Sequence, residues 1–367
     1  MSSSDSFVHL HVHSEYSMLD GAARLQPLVK AAASMGMPAI AVTDHGNLHG
    51  AYEFYTAAKK VGIKPIIGIE AYLAPGDTSR KDRTRIRWGD ENSGDDVSGS
   101  GAYTHATLLA ETTEGMYNLF RMSSLSYIDG YYYKPRMDRE LLSTYGKGVI
   151  ATTGCAGGEV STLLRTKGYE AALAAAADYR DILGKENYFV EIMDHGIQIE
   201  RRSFQDLIRI AKELDLPLLA TNDLHYIHQD DATAHDALIT IQSGSRLDEV
   251  KRFKFDGTEY YLKSAAQMRA LFKDYPDACD NTLLIAERCS VEFAQREKEL
   301  MPRFEVPEGE TEDSWFEKEV WSGLSRRFNG AIPETHREQA SYEIGVIHAM
   351  GYSGYFLVVA DFIGWAR

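Results

Sequence analysis

Cysteine, cationic charge and long apolar runs are all scarce in this chain of 367 residues. Its three cysteines, Cys155, Cys279 and Cys289, make no disulfide framework, and so few thiols suit a reducing cytoplasm. The N-terminus, MSSSDSFVHL, has neither the basic stretch nor the apolar run of a signal peptide. The most apolar late stretch, GYFLVVADFIGWAR, is broken by Asp361 and is too short for a bilayer, so no membrane partner is expected. Lys and Arg number 39 against 54 Asp and Glu. The resulting net charge of −15 gives the chain no general attraction to nucleic acid. Bound divalent cations would reverse that sign locally. Hydrophobic residues at 44% and charged ones at 25% are ordinary for a globular protein, and the length allows one large domain or two moderate ones.

What the sequence does have is alternation. The runs FVHLHVH, AIAVTDH, KPIIGIEAYLA, THATLLAE, GVIATTGC, YFVEIMDH and PLLATNDLH read as strands. Between them, stretches such as ARLQPLVKAAASMG, GAYEFYTAAKKVG and RRSFQDLIRIAKELD space apolar residues three and four apart and end on Gly or Asp, as helices do. Strand–helix alternation predicts βαβ units around a parallel sheet, and seven strands favour a barrel over an open sheet. Residues 75–102, rich in Gly, Ser and charge, read as a long mobile loop. From about Ser264 strands stop; SAAQMRALFKDY, DACDNTLLIAERC, SWFEKEVWSGLSRRF and HREQASYEIGVIHAMG read as helices, with a linker around MPRFEVPEGETED. A boundary near residue 290 divides a first domain, 1–290, from a second, 291–367.

Nearly every strand-like run ends in residues able to hold metal. The first ends at His11 and His13, with Asp20 beyond; the second ends at Asp44-His45; the third carries Glu70. GVIATTGC ends at Cys155 and PLLATNDLH at Asp223 and His225, whereas His105 stands at the start of its run. In barrels of alternating strands and helices, chemistry gathers at the carboxyl ends of the strands. Any one of these residues alone has an ordinary explanation: a buried hydrogen-bonded His, an inert Cys155, a helix-capping Asp223. A carboxylate such as Glu70 in an apolar strand needs a partner, and two His-x-His or Asp-x-His pairs at strand ends beside it point to a shared metal site. His9 lies deeper in its strand and is expected to hydrogen-bond beneath the cluster, and Asp44, facing away from His45, to support ligands rather than to ligate.

These residues resemble the PHP (polymerase and histidinol phosphatase) family. The nine positions His11, His13, Asp20, His45, Glu70, His105, Cys155, Asp223 and His225 match its metal residues, with Cys155 where the family often has His. The stretches HSEYSMLDGAARL, TDHGNLHGAYEFY, VGIKPIIGIEAYLA, YYYKPRMD, TTGCAGGEV, IMDHGIQIE and ATNDLHY narrow the resemblance to the alpha-subunit family of bacterial replicative DNA polymerase III, and NTLLIAERC and GYSGYFLVVADFIGWAR are similar to its passage into the palm. The resemblance implies an α/β fold, a PHP-type distorted (β/α)7 barrel, followed by a mostly helical start of a polymerase palm region. The family's palm carboxylates lie beyond Arg367, so an N-terminal part that does not itself polymerise is expected.

Imidazole, carboxylate and thiolate donors suit zinc or manganese better than magnesium. The family pattern implies three such ions per chain. His11, His13, Glu70 and Asp223 would hold the first. Glu70 would share a second with His105 and Cys155, and Asp20, His45 and His225 would hold the third. Metal-assisted hydrolysis of phosphoesters is the implied reaction. Within a replicative polymerase the implied substrate is the 3′ end of a primer strand, the activity a 3′–5′ proofreading exonuclease, and the partners DNA, the rest of the polymerase chain, the sliding clamp and the clamp loader. Two other readings stay open: a non-catalytic, metal-braced interaction domain, and a small-molecule phosphatase. In YYYKPRMD, Lys134 and Arg136 offer contacts to phosphate and Tyr131 to Tyr133 to a base; a solvated loop with packed tyrosines explains the same residues.

Overall fold

The computed structural model describes residues 5–88, 99–293 and 302–367. By its internal contacts the chain forms two units, Met1–Phe293 and Ala294–Arg367. In the first, the apolar runs become strands: β1 (Ala39–Val42), β2 (Lys64–Leu73), β3 (Thr104–Ala110), β4 (Tyr131–Tyr132), β5 (Lys134–Met137), β6 (Val149–Thr152), β7 (Tyr188–Ile192) and β8 (Leu218–Ala220). The short β4–β5 hairpin joins the far end of β2, Tyr72 opposite Arg136.

The first predicted strand, FVHLHVH, forms no regular ladder, only an isolated bridge from Val12 to Leu224 beside a bend at His11. Side-chain hydroxyls stand where a neighbour's carbonyls would: Val12 N donates to Thr43 Oγ1 and Val8 N to Thr282 Oγ1. The segment still lies between the two flanks of the curled sheet. Ala41 N donates to His9 O on one side and His13 N to Leu224 O on the other. Residues of this segment and of six strands, among them Leu10, Ala41, Ile66, Leu109, Ile150, Phe189 and Leu219, form a single buried cluster, as in a barrel interior, and the helix Pro276–Arg288 adds Ile285 and Ala286 to it.

The expected parallel order fails at one strand. β3 runs antiparallel to both β2 and β6, whereas β1–β2, β6–β7 and β7–β8 are parallel. A parallel neighbour needs a crossover, generally a helix; the described parts of the β2–β3 connection contain none, so the chain returns antiparallel.

The described flanks of that connection are more firmly held than the mobile loop expected at 75–102. Arg80 pairs with Asp129, Asp138 and Glu140 at 3.0, 3.2 and 2.9 Å, Ile86 N donates to Gly101 O, and Trp88 is buried. Residues 89–98 lie outside the described residues.

The second unit is helical, with Glu312–Arg327, Glu334–Ala349 and Ser353–Ala366 meeting at Phe316, Ile344 and Leu357. Among the described residues no single helix is long and apolar enough to cross a membrane.

Candidate metal centre

The parallel strands all point one way, and their ends supply the site. Antiparallel β3 begins where its neighbours end, which is why His105, at the start of its run, still joins the others. After β6, Gly154 turns the chain at φ 75°, a conformation that favours glycine, and sets Cys155 at the rim. Asp223 itself sits at φ 39°, rare for a residue with a Cβ. Its flanks hold it there, with His13 N donating to Leu224 O and Leu224 N to His11 O. Strain kept by hydrogen bonds at a ligand-type residue is characteristic of a functional site.

All nine predicted residues come together. His11 Nε2 lies 3.4 Å from both Glu70 Oε1 and Asp223 Oδ1, and His13 Nε2 lies 3.3 Å from Glu70 Oε2 and 3.2 Å from Asp223 Oδ1. Glu70 Oε1 is 2.8 Å from His105 Nδ1 and 3.3 Å from Cys155 Sγ. His45 bridges Asp20 (Nε2–Oδ2, 2.8 Å) and Glu70 (Nδ1–Oε2, 2.5 Å), and His225 Nε2 is 3.7 Å from Asp20 Oδ1.

The donor set fits divalent metal. Tetrahedral donors about 2.0–2.1 Å from an ion stand roughly 3.3 Å apart, close to the separations around His11 and His13. Buried atoms without a hydrogen-bond partner also converge here: His11 Nε2, His13 Nε2, Asp20 Oδ1, Asp223 Oδ1 and His225 Nε2. Orphaned buried polar atoms are costly and uncommon, and bound cations would satisfy them.

Neighbours fix which ring nitrogen faces inward. His11 Nδ1 donates to Glu191 Oε1 at 2.7 Å, His13 Nδ1 to Ser17 Oγ at 2.9 Å, and His225 Nδ1 to the Asp223 carbonyl at 2.8 Å, leaving each Nε2 free for metal. Ser17 passes its own proton to Asp44 Oδ1 at 2.7 Å, so Asp44 supports His13 through the serine. His9 donates from Nε2 to the Lys263 carbonyl at 2.8 Å.

Electrostatics follow the geometry. Burial alone would push the His45 imidazole down, but Glu70 and Asp20 outweigh it and raise it to about 10. Burial likewise opposes the charge on His11, yet Asp223, Glu191 and Glu70 hold it well above the usual imidazole range. Burial and the neighbouring His13 push His225 down to about 3. Burial, then the Glu70 and Asp223 carboxylates, drive the Cys155 thiol well up, so it is no free thiolate nucleophile.

One predicted contact is corrected. Arg136 is fully buried, and its guanidinium donates to the carbonyls of Ala102 at 2.9 Å and Arg80 at 2.8 Å, with Asp82 O also within reach. It braces the β2–β3 connection and has no surface to offer a phosphate. Lys134 is half-buried, its ammonium 5.3 Å from the Tyr72 ring centre, while Tyr131 and Tyr133 are exposed. The sequence reading gave no role to three buried residues of the site. Glu191 takes His11 and the hydroxyls of Thr221 and Thr152. His195 ties Glu200 to the carbonyl of Asn222, just before Asp223. His235 stands 4.0 Å from Asp20 Oδ1.

A metal-donor cluster on the strand ends of a curled α/β sheet defines the class, and the chain belongs to the PHP domain family, whose model matches residues 9–195. A second model, the bacterial DNA polymerase III alpha NTPase domain, matches residues 314–367. The chain is 52% identical over 370 residues to the DNA polymerase III subunit alpha of Mycobacterium tuberculosis, covering 100% of this chain and 31% of that protein. It is 41% identical over 363 residues to that of Treponema pallidum, covering 99% of this chain and 30% of the relative. The chain thus spans about a third of the length of the curated relatives it matches.

Proposed function

We propose that the first unit is a divalent-metal phosphoesterase acting on the 3′ end of DNA, a 3′–5′ proofreading exonuclease belonging to the N-terminal part of a replicative DNA polymerase alpha subunit. The observation that carries this reading is the convergence of buried, unpartnered nitrogen and oxygen atoms at one rim. Three ions, zinc or manganese, match the donor groups: His11, His13, Glu70 and Asp223; Glu70, His105 and Cys155; Asp20, His45 and His225. When bound, such cations lower the pKa of a water and stabilise the attacking and leaving oxygens of a phosphoester.

The chain's own residues do the positioning. Glu70 lies between the donor groups, and its two oxygens face His105 and His45 separately. Glu191 and the Ser17–Asp44 pair hold the His11 and His13 rings in the metal-binding tautomer. Lys134, near Tyr72 and through it His45, remains a candidate contact for a strand's phosphates.

A gel time course on 3′-mismatched primer–template DNA with manganese or zinc, for the parent chain and Asp223→Asn, tests the proposal. Loss of nucleotides from the 3′ end by the parent alone is the expected result. No digestion by either, with metal still bound in stoichiometric amount, would assign the cluster to a structural role. Turnover confined to a simple phosphomonoester would assign it to small-molecule phosphatase chemistry.

A further inference from the structure

The donors occupy only the floor of their cleft. A cavity of about 530 Å³ rises above Asp20, His45 and Asp223, and one wall of it comes from Phe253, Lys254 and Phe255. The Phe255 ring stands 4.8 Å from that of His225, and Phe253 lies 6.0 Å further out, so an aromatic row leads from the cluster to solvent. Phe253 is 60% exposed. The stretch that carries it is nevertheless pinned, because the adjacent Arg252 forks onto Asp236 with contacts of 2.7 and 2.5 Å. Lys254 is exposed, and its charge also reaches Asp236, the partner of Arg252.

An exposed aromatic face and an exposed ammonium above a floor of metal donors match two parts of a nucleotide, its base and its phosphate. The cavity is of the size that small-molecule sites commonly have. We infer that Phe253, Lys254 and Phe255 form a nucleotide subsite. The terminal base stacks on Phe253 and meets the edge of Phe255, whose ring stands nearly perpendicular, while Lys254 takes the phosphate beside it. The inference rests on the phosphoesterase reading and adds to it the unit recognised. Stacking on an aromatic face is tolerant of sequence, because every base has a π-face.

The test is calorimetric binding of deoxyadenosine monophosphate and of deoxyribose 5-phosphate to the manganese-loaded chain and to Phe253→Ala and Lys254→Gln. Phe253 is exposed, so its truncation should leave metal content and melting temperature unchanged. The parent is expected to prefer the nucleotide about tenfold, the range of one stacked base. Phe253→Ala should abolish the preference, and Lys254→Gln should weaken both ligands alike. Equal or absent binding of the two by the parent, or a preference that survives Phe253→Ala, would overturn the subsite even if DNA ends are still digested. Base-dependent binding lost in Phe253→Ala, from a parent that digests no DNA, would support the subsite and remove the exonuclease.

Discussion

The two halves of the cluster are held in place by different means. His11, His13 and Glu70 are at most 1% exposed, and the two imidazoles are oriented by groups outside the donor set, Glu191 and the Ser17–Asp44 pair. Asp20, His45 and His105, each 13–15% exposed, lean on other donors instead: His45 between Asp20 and Glu70, His105 on Glu70. The inner imidazoles are thus oriented without help from other donors. At the rim, the contacts that hold the metal-free arrangement are those that loading must break. A preset floor and an exchangeable rim suit a site that grips ions on one side and admits substrate on the other.

The strongest attack on this contrast removes the outside support of the inner half. Glu191→Gln keeps the shape but weakens the acceptor that orders His11, and partners of this kind typically carry about 10- to 100-fold in metal affinity. Competition against a fluorescent chelator should show a loss of that order, with a lower melting temperature of the metal-free chain as well, because Glu191 helps hold the charge on His11. Unchanged affinity would mean that the inner donors, too, are ordered only by one another.

The rim makes a prediction about pH. Metal-free, His45 keeps a proton up to about 10 and His11 is also raised, whereas His225, at about 3, is already neutral. The raised pKa of His45 gives the metal-free fold a stabilisation that is complete below about 6.5. That stabilisation fades as pH rises toward 10. Loading must expel these protons, so affinity should strengthen about tenfold per pH unit for each proton displaced. The gain in melting temperature on adding manganese should therefore widen from pH 6.5 to 8.5. A constant or shrinking gain would show that the rim imidazoles are neutral before loading.

Much of this site was legible because ligation at strand ends leaves a local mark. His11-Val12-His13 and Asp223-Leu224-His225 close apolar runs, and Glu70 is a carboxylate where an apolar strand should not have one. The same signal was present at Glu191, in the middle of YFVEIMDH, and would have marked it as a buried partner. Strand direction is another matter. Period-two patterning does not encode it, and only the loop-like composition of residues 75–102 hinted that β3 turns back. The role of Arg136 was not legible at all, since the carbonyls it binds, at Arg80, Asp82 and Ala102, are remote in sequence and arrive only with the fold. The wall at Phe253 reads locally as an ordinary polar stretch with aromatics, and gains meaning from standing over His225.

His235 gives the finest test of the rim. It is a lone histidine on the helix Ala232–Ser243, with no partner in an x-His or His-x pattern to single it out, yet it is 2% exposed with its Nε2 unpartnered. Burial pushes its imidazole down, so it faces Asp20 as a neutral group. At 4.0 Å its nitrogen is too far from Asp20 Oδ1 for a direct hydrogen bond, and its ring packs 5.5 Å from His225 and 4.8 Å from Phe255. It therefore confines the Asp20 carboxylate and the His225 ring by packing rather than by a bond to either side chain. His235→Ala should weaken metal binding by only about threefold, below the usual range for a hydrogen-bonded partner of a ligand. A loss as large as that of Glu191→Gln in the same chelator competition would make His235 a donor in its own right, and the rim would then have an anchor outside the nine predicted residues.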